Sequence, residues 1–365
     1  MPPTHLCIVA RSMSRRALCF AVIALVAVGA SAGCEQLDGR NRTRTGNRMF
    51  GDKEFVDAAA QYEKALTEVN DPIIHYNLGL AYSKVFHPGS TQQQVMLDVQ
   101  GSFVCSAIPG VAPVQKQVCM KEGDKHFDEC DAKHVCASSF KCEQTTLCQI
   151  ENATLADMSA KHFESWLTAN PTDTETRGLM TQVWLDASQY DKALEYWNGL
   201  LQQKPNDPEI MGSLAGINLK AGDWRKSIEW YNKVADATTD VSAKVAAYQF
   251  IGNVAWSKLN SRSLSGPDSV ELADRGIGAL QKAAQLQPDN PKPVGLQASL
   301  FNFRGSAHGA SWAGSIDRAS AEDLKHASRV LRDKAKKAQE LAPGGTPAPA
   351  PSGAAATSEP VKTGG

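Results

Sequence analysis

Between residues 174 and 241, apolar side chains fall at helical spacing in two matched sets. Ala193, Trp197, Leu200 and Leu201 form one stripe, because residues three or four apart share a helix face. At a period of 34, Ser227, Tyr231, Val234 and Ala235 repeat that stripe, and Thr239 stands where Pro205 stood. The turn Ser188-Gln189-Tyr190 is echoed by Gly222-Asp223-Trp224. The pattern predicts antiparallel pairs of amphipathic helices joined by short turns. Strand-like alternation is scarce, and Gly, Asn and Asp collect at the joints between periodic segments. The folded part is therefore expected to be nearly all helix.

The same pattern extends on both sides. A first pair places Gly46 opposite Ala58, with Phe55, Tyr62, Ala65 and Leu66 continuing the apolar face. A second begins with His75-Tyr76-Asn77-Leu78-Gly79-Leu80-Ala81-Tyr82, and its partner helix arrives much later through Ser159, Phe163, Trp166 and Leu167. A fifth sets Tyr248, Ile251 and Gly252 against Gly276, Leu280 and Ala283, a crossing where two backbones can approach closely. A sixth runs from Pro291 through Phe301 to a helix expected over about 320–341, with Leu331 at the small position and Lys334, Lys336 and Lys337 on a wet outer side.

A 34-residue period of paired helices resembles the tetratricopeptide repeat (TPR) family. The resemblance covers residues 46–86 and 152–342 and implies an all-α, TPR helical-hairpin solenoid of about six hairpins, closed by a capping helix. It also implies a binding surface rather than a catalyst. The helix positions that line the groove in that family fall here on Tyr76, Leu80 and Lys84, then on Gln182, Leu185 and Asp186. Further along they fall on Glu209, Leu219, Lys220, Gln249, Asn253 and Trp256. Amides, a few charges and an aromatic suit an extended peptide or a partner helix. The set does not reproduce the Lys/Asn carboxylate clamp of chaperone-binding relatives.

The ends of the chain carry different information. Residues 1–33 hold Arg11, Arg15 and Arg16, no acid, an apolar run from Ala17 to Val28, and small residues from Gly29 to Gly33. That order of regions reads as a signal peptide, with an apolar run too short to span a bilayer comfortably. Ser31-Ala32-Gly33-Cys34 resembles a bacterial lipobox, although Ser31 stands where that motif usually has Leu or Val. Lipidation would fall on Cys34, residues 34–45 would form a tether, and acyl chains would hold the protein on a membrane. Glu35 in the next position points to the outer rather than the inner membrane. Residues 343–365, rich in Pro, Ala and Gly, lack the apolar area to offset the entropy of ordering and read as a disordered tail.

Cysteine count favours lipidation: seven follow the signal segment, and setting Cys34 aside leaves an even six. Cys105, Cys119, Cys130, Cys136, Cys142 and Cys148 crowd into an insert at residues 87–151, which interrupts the second hairpin. In an exported chain they read as three disulfides, whose pairing the sequence leaves open. Each bridge would stabilise by about 2–4 kcal/mol a segment with few large apolar side chains. Zinc sites favour cysteine pairs two to four residues apart, and none occurs here, so no metal is expected.

Once residues 1–33 are removed, acidic groups exceed basic ones by about four. With no Lys/Arg cluster beyond ordinary helix faces, nucleic acid is excluded as the main partner. No phosphate loop, metalloprotease motif or nucleotide-binding glycine turn is present. Gly29-Ala30-Ser31-Ala32-Gly33 spells a nucleophile pattern but lies in the segment to be removed. His162, His308 and His326 read as isolated surface residues. The expectation is a non-catalytic adaptor of the cell envelope without a cofactor, facing the periplasm and binding a protein or peptide partner in its groove. The alternative is an accessory or sensor protein whose cysteine-rich insert binds a metal, a glycan or a small ligand.

Overall fold

The protein is described by a computed structural model over residues 36–89, 92–96, 111–121 and 128–340. Cys34, Cys105, the signal segment and the C-terminal tail lie outside the described residues. Among those described are twelve helices and four strands, which divide at Ala187/Ser188 into two compact units.

The first unit holds helices α1 (36–51), α2 (Phe55–Glu68), α3 (Pro72–Val85), α4 (Asn152–Ala169) and α5 (Thr174–Asp186). It also holds strands β1 (Gln92–Met96), β2 (Pro113–Met120), β3 (Asp128–Glu129) and β4 (Lys141–Glu151). Aspartates start two of these helices. Asp71 accepts from the Ile73 backbone N–H ahead of Pro72, and Asp173 accepts from the Thr176 backbone N–H. In the first hairpin the close crossing is Gly46 against Tyr62, not Ala58: a Cβ on Gly46 would lie 2.5 Å from the Tyr62 ring. The Tyr62 hydroxyl then donates to Asn47 at 2.9 Å. In the second hairpin a Cβ on Gly79 would lie 2.6 Å from the Phe163 ring, and the Ser159 hydroxyl donates to the Gly79 carbonyl at 2.8 Å. Glycine is required at both crossings because an aromatic ring occupies the space a side chain would need.

The insert departs from the all-helix expectation. It folds as an antiparallel sheet in the order β1-β4-β2-β3, with Val118 and Leu147 fully buried. Cys119 stands opposite Cys142 in the β2–β4 register, yet neither bonds the other; the bridges are Cys119–Cys136 and Cys130–Cys142. Cys148, buried on β4, is also disulfide-bonded. At the root of the insert the Asn152 side chain clasps His87, donating to its carbonyl and accepting from its N–H. This short loop of bonds ties the exit of the segment to its return.

The second unit holds α6 (Tyr190–Gln203), α7 (Pro208–Lys220), α8 (Trp224–Ala237), α9 (Val241–Asn260), α10 (Pro267–Leu286), α11 (Pro291–Ala307) and α12 (Trp312–Glu340). Asp207, Asp223, Asp240 and Asn290 cap α7, α8, α9 and α11 through backbone N–H groups. The repeated small positions Ala193 and Ser227 are both fully buried. A core cluster centred on Trp224, Ile251, Leu272, Leu280 and Leu300 joins α8 through α11. The α9–α10 crossing is tight: a Cβ on Gly276 would lie 2.6 Å from the Ala255 Cβ and 2.6 Å from Leu300. Helix α12 begins at Trp312, earlier than the periodicity suggests. Its close approach to α11 runs through Ser328 and not Leu331, with a Cβ on Gly295 only 2.9 Å from the Ser328 hydroxyl. Arg304 anchors this end, donating to the buried Asp317 at 2.6 Å and pairing with Asp274.

Candidate functional site

The groove positions do not share one fate. In the first unit Tyr76 is 2 % exposed, with its ring against Phe163 and Trp166 at centroid distances of 6.2 and 5.4 Å. Leu80 is fully buried. Both therefore belong to the core and offer nothing to a ligand. Lys84 is exposed, Gln182 is exposed and donates to Asp186 at 2.6 Å, and Leu185 is half-buried.

In the second unit the helical spacing works as expected. Gln249, Asn253 and Trp256 lie four and three residues apart on α9 and so share one face. Gln249 is half-buried, Asn253 is exposed, and Trp256 is 40 % exposed, high for so large an apolar side chain. Gln249 and Asn253 form one wall of a cleft of about 630 Å³, within the size range of ligand clefts. Helix α11 contributes Lys292, Leu296 and Ser299 to it, and α12 contributes Lys325, Ser328 and Arg332. Lys220, exposed at the end of α7, and Trp256 stand outside the cleft lining.

A buried polar cluster in the first unit went unread in the sequence. His162 is 9 % exposed and not a surface residue; its Nδ1 lies 2.9 Å from the Nδ1 of His75. Its Nε2 faces Glu63 at 3.5 Å, and the Tyr82 hydroxyl donates to that same Glu63 oxygen at 2.9 Å. One imidazole must donate and the other accept, so the pair cannot keep this contact when both rings are protonated. Burial lowers the pKa of His75, His162 and Lys161 lower it further, and Glu63 opposes them. Burial and Glu63 push the Tyr82 hydroxyl well above its ordinary value. His308 is half-buried with its Nε2 3.8 Å from Asp317, and His326 is exposed. In the insert, sulfurs of Cys119, Cys130 and Cys136 lie within 4.8 Å of one another, but as disulfide sulfurs they offer no thiolate to a metal.

Paired helices with glycine or small-residue crossings, capped by Asp and Asn, define a helical-hairpin repeat protein, a class that works as an interaction scaffold. Residues 184–241 match the tetratricopeptide repeat family, and the 34-residue echo from Ser188 to Thr239 lies within that span. Among solved structures, a crystal structure of MamA is 18 % identical over 51 % of this chain and 93 % of its own, with a TM-score of 0.33. A second crystal structure of MamA protein is 19 % identical over 51 % of this chain and 87 % of its own, also at 0.33. A MamA RS-1 double mutant is 19 % identical over 47 % of this chain and 85 % of its own, at 0.31. Likeness at these TM-scores carries no further argument. No curated protein matches the chain. Among the described residues, no helix is long and apolar enough to cross a membrane.

Proposed function

We propose that the chain is a non-catalytic adaptor of the cell envelope that holds a protein or peptide partner against the α9 face of its second unit. The observation that carries this reading is the stripe Gln249, Asn253 and Trp256, which presents two amides and an indole beside a cleft while the opposite face of α9 fills the core. Amides can pair with a partner's backbone, and a half-exposed indole gains area when covered. The anchor in this proposal is a lipid on Cys34, supported by the signal segment and the Gly33-Cys34 junction, and the location is the periplasmic side of the outer membrane, supported by Glu35. The disulfide-stapled insert leaves its hairpin between α3 and α4 and gives a second surface for partner choice.

Crosslinking in intact cells, followed by purification and mass spectrometry, tests the adaptor role. The wild-type chain recovers a defined envelope protein, and the triple change Gln249→Ala, Asn253→Ala, Trp256→Ala loses it. Recovery unchanged by the triple variant would sink the groove assignment. Deletion of residues 88–150 with unaltered partner recovery would remove the insert from the account. Cys34→Ala is expected to move the protein from the membrane to the soluble fraction, and no such shift would refute the anchor.

A further inference from the structure

The cleft between α9, α11 and α12 has a charge that the chain as a whole does not. Lys292, Lys325 and Arg332 line it and no carboxylate does, although the full sequence carries a net charge of −1. The positive sign is therefore a local arrangement and not a reflection of composition. Helix α12 creates it by placing Lys325 and Arg332 seven residues apart, two turns along the side that faces the cleft. The close contact of Gly295 with Ser328 draws α12 onto α11 and forms the floor between these cations.

The cations are held loosely enough to be recruited. Lys325 pairs with Glu322 one turn away, but their side chains are 51 % and 66 % exposed, so solvent screens that pair. Arg332 makes one long bond, 3.4 Å, from Nε to the Ser328 carbonyl, which leaves the forked end of its guanidinium for a bidentate acceptor. Across the cleft stand the amides of Gln249 and Asn253, with Leu296 as an apolar contact. Amides recognise a peptide backbone, and separated cations recognise carboxylates spaced along it. No aromatic side chain lines the cleft to stack a nucleobase.

We infer that this cleft binds an extended acidic peptide segment of the partner, with Lys325 and Arg332 taking its carboxylates and Gln249 and Asn253 its backbone. The inference rests on the adaptor reading and adds the chemistry of the partner to it. The test is fluorescence anisotropy of the oxidised full chain with three labelled decapeptides: all-Glu, all-Lys, and neutral Gly/Ser. The all-Glu peptide binds, the other two do not, and the affinity falls as salt rises. The pair Lys325→Glu with Arg332→Glu weakens that binding by roughly tenfold or more. Because both side chains are exposed, its circular dichroism and melting temperature stay at wild-type values. Equal binding of the acidic and basic peptides, no binding of either, or indifference to the double charge reversal would overturn the inference. Inorganic phosphate binding as tightly as the all-Glu peptide would also overturn it, leaving a small-anion site. Should the peptide fail while the α9 triple variant still loses the crosslinked envelope protein, the adaptor reading stands and only the acidic-partner inference falls.

Discussion

Replacing Gly276 by alanine puts a methyl group where α9, α10 and α11 meet. The new Cβ would lie 2.6 Å from the Ala255 Cβ and 2.6 Å from Leu300, in a cluster where Ala255, Leu280 and Leu300 are fully buried. Leu300 can rotate, but the Ala255 Cβ is fixed to its backbone, so relief requires the helices to separate. Overpacking of this kind costs about 1–3 kcal/mol. The gain in helix propensity from Gly to Ala returns roughly 0.5–1 kcal/mol, so the middles of the two ranges leave a net loss of about 1 kcal/mol. Gly278 supplies the control on the same helix, since a Cβ there would meet nothing within 4 Å. Gly278→Ala keeps the propensity gain alone and is expected to stabilise by roughly 0.5–1 kcal/mol. Urea unfolding followed by circular dichroism and tryptophan fluorescence reads both variants. A Gly276→Ala protein as stable as wild type, or a Gly278→Ala protein equally weakened, would refute the close-crossing argument.

Three further outcomes are expected. Changing Cys119 and Cys136 together to Ser should lower the stability of the insert by about 2–4 kcal/mol, read as new protease cleavage between residues 111 and 151 with little loss of helical signal. Asn152→Ala should loosen the root of the insert by about 1–3 kcal/mol, because the His87 N–H and carbonyl lose their partner; hydrogen exchange at His87 checks it. His75 has its pKa lowered in the folded state, so the unfolded chain binds more protons as pH falls through the unperturbed value of about 6.5. The first unit should thus melt at a lower temperature at pH 5.5 than at pH 7.5, and His75→Gln should flatten that slope. A slope of the opposite sign, or one untouched by His75→Gln, would contradict the reading of the histidine pair.

The repeat was legible in the sequence because its determinants are local. Ala193 and Ser227 repeat at the period of the family and both are fully buried; Gly252 and Gly276 were paired from their spacing and meet in the core. Long-range neighbours were harder to see. Tyr76 sits at a groove position by register, yet Phe163 and Trp166 of α4 close over it from the far side of the insert. His162 looked isolated because its partner, His75, is 87 residues away. The sheet left a fainter trace: Val114 and Val118 share the covered side of β2 and Gln115 and Gln117 the exposed side, but Lys116 between the valines breaks the apolar period of two. Helix α12 starts at Trp312, before the expected start near residue 320, and the two glycines around that start act differently. Gly309 does turn the chain with φ +63°, but Gly314 lies inside the helix and gives α11 room to approach. The cationic cleft needs three helices in place at once, and no spacing along one helix announces it.

The central claim is that the partner lies on the α9 face that carries Gln249, Asn253 and Trp256. A photo-crosslinking amino acid placed at Asn253, compared with one at the exposed Glu229 of α8, tests it most directly in intact cells. The account predicts a single adduct of defined mass from position 253 and none from 229. The same adduct from both positions, or one from 229 alone, would contradict it.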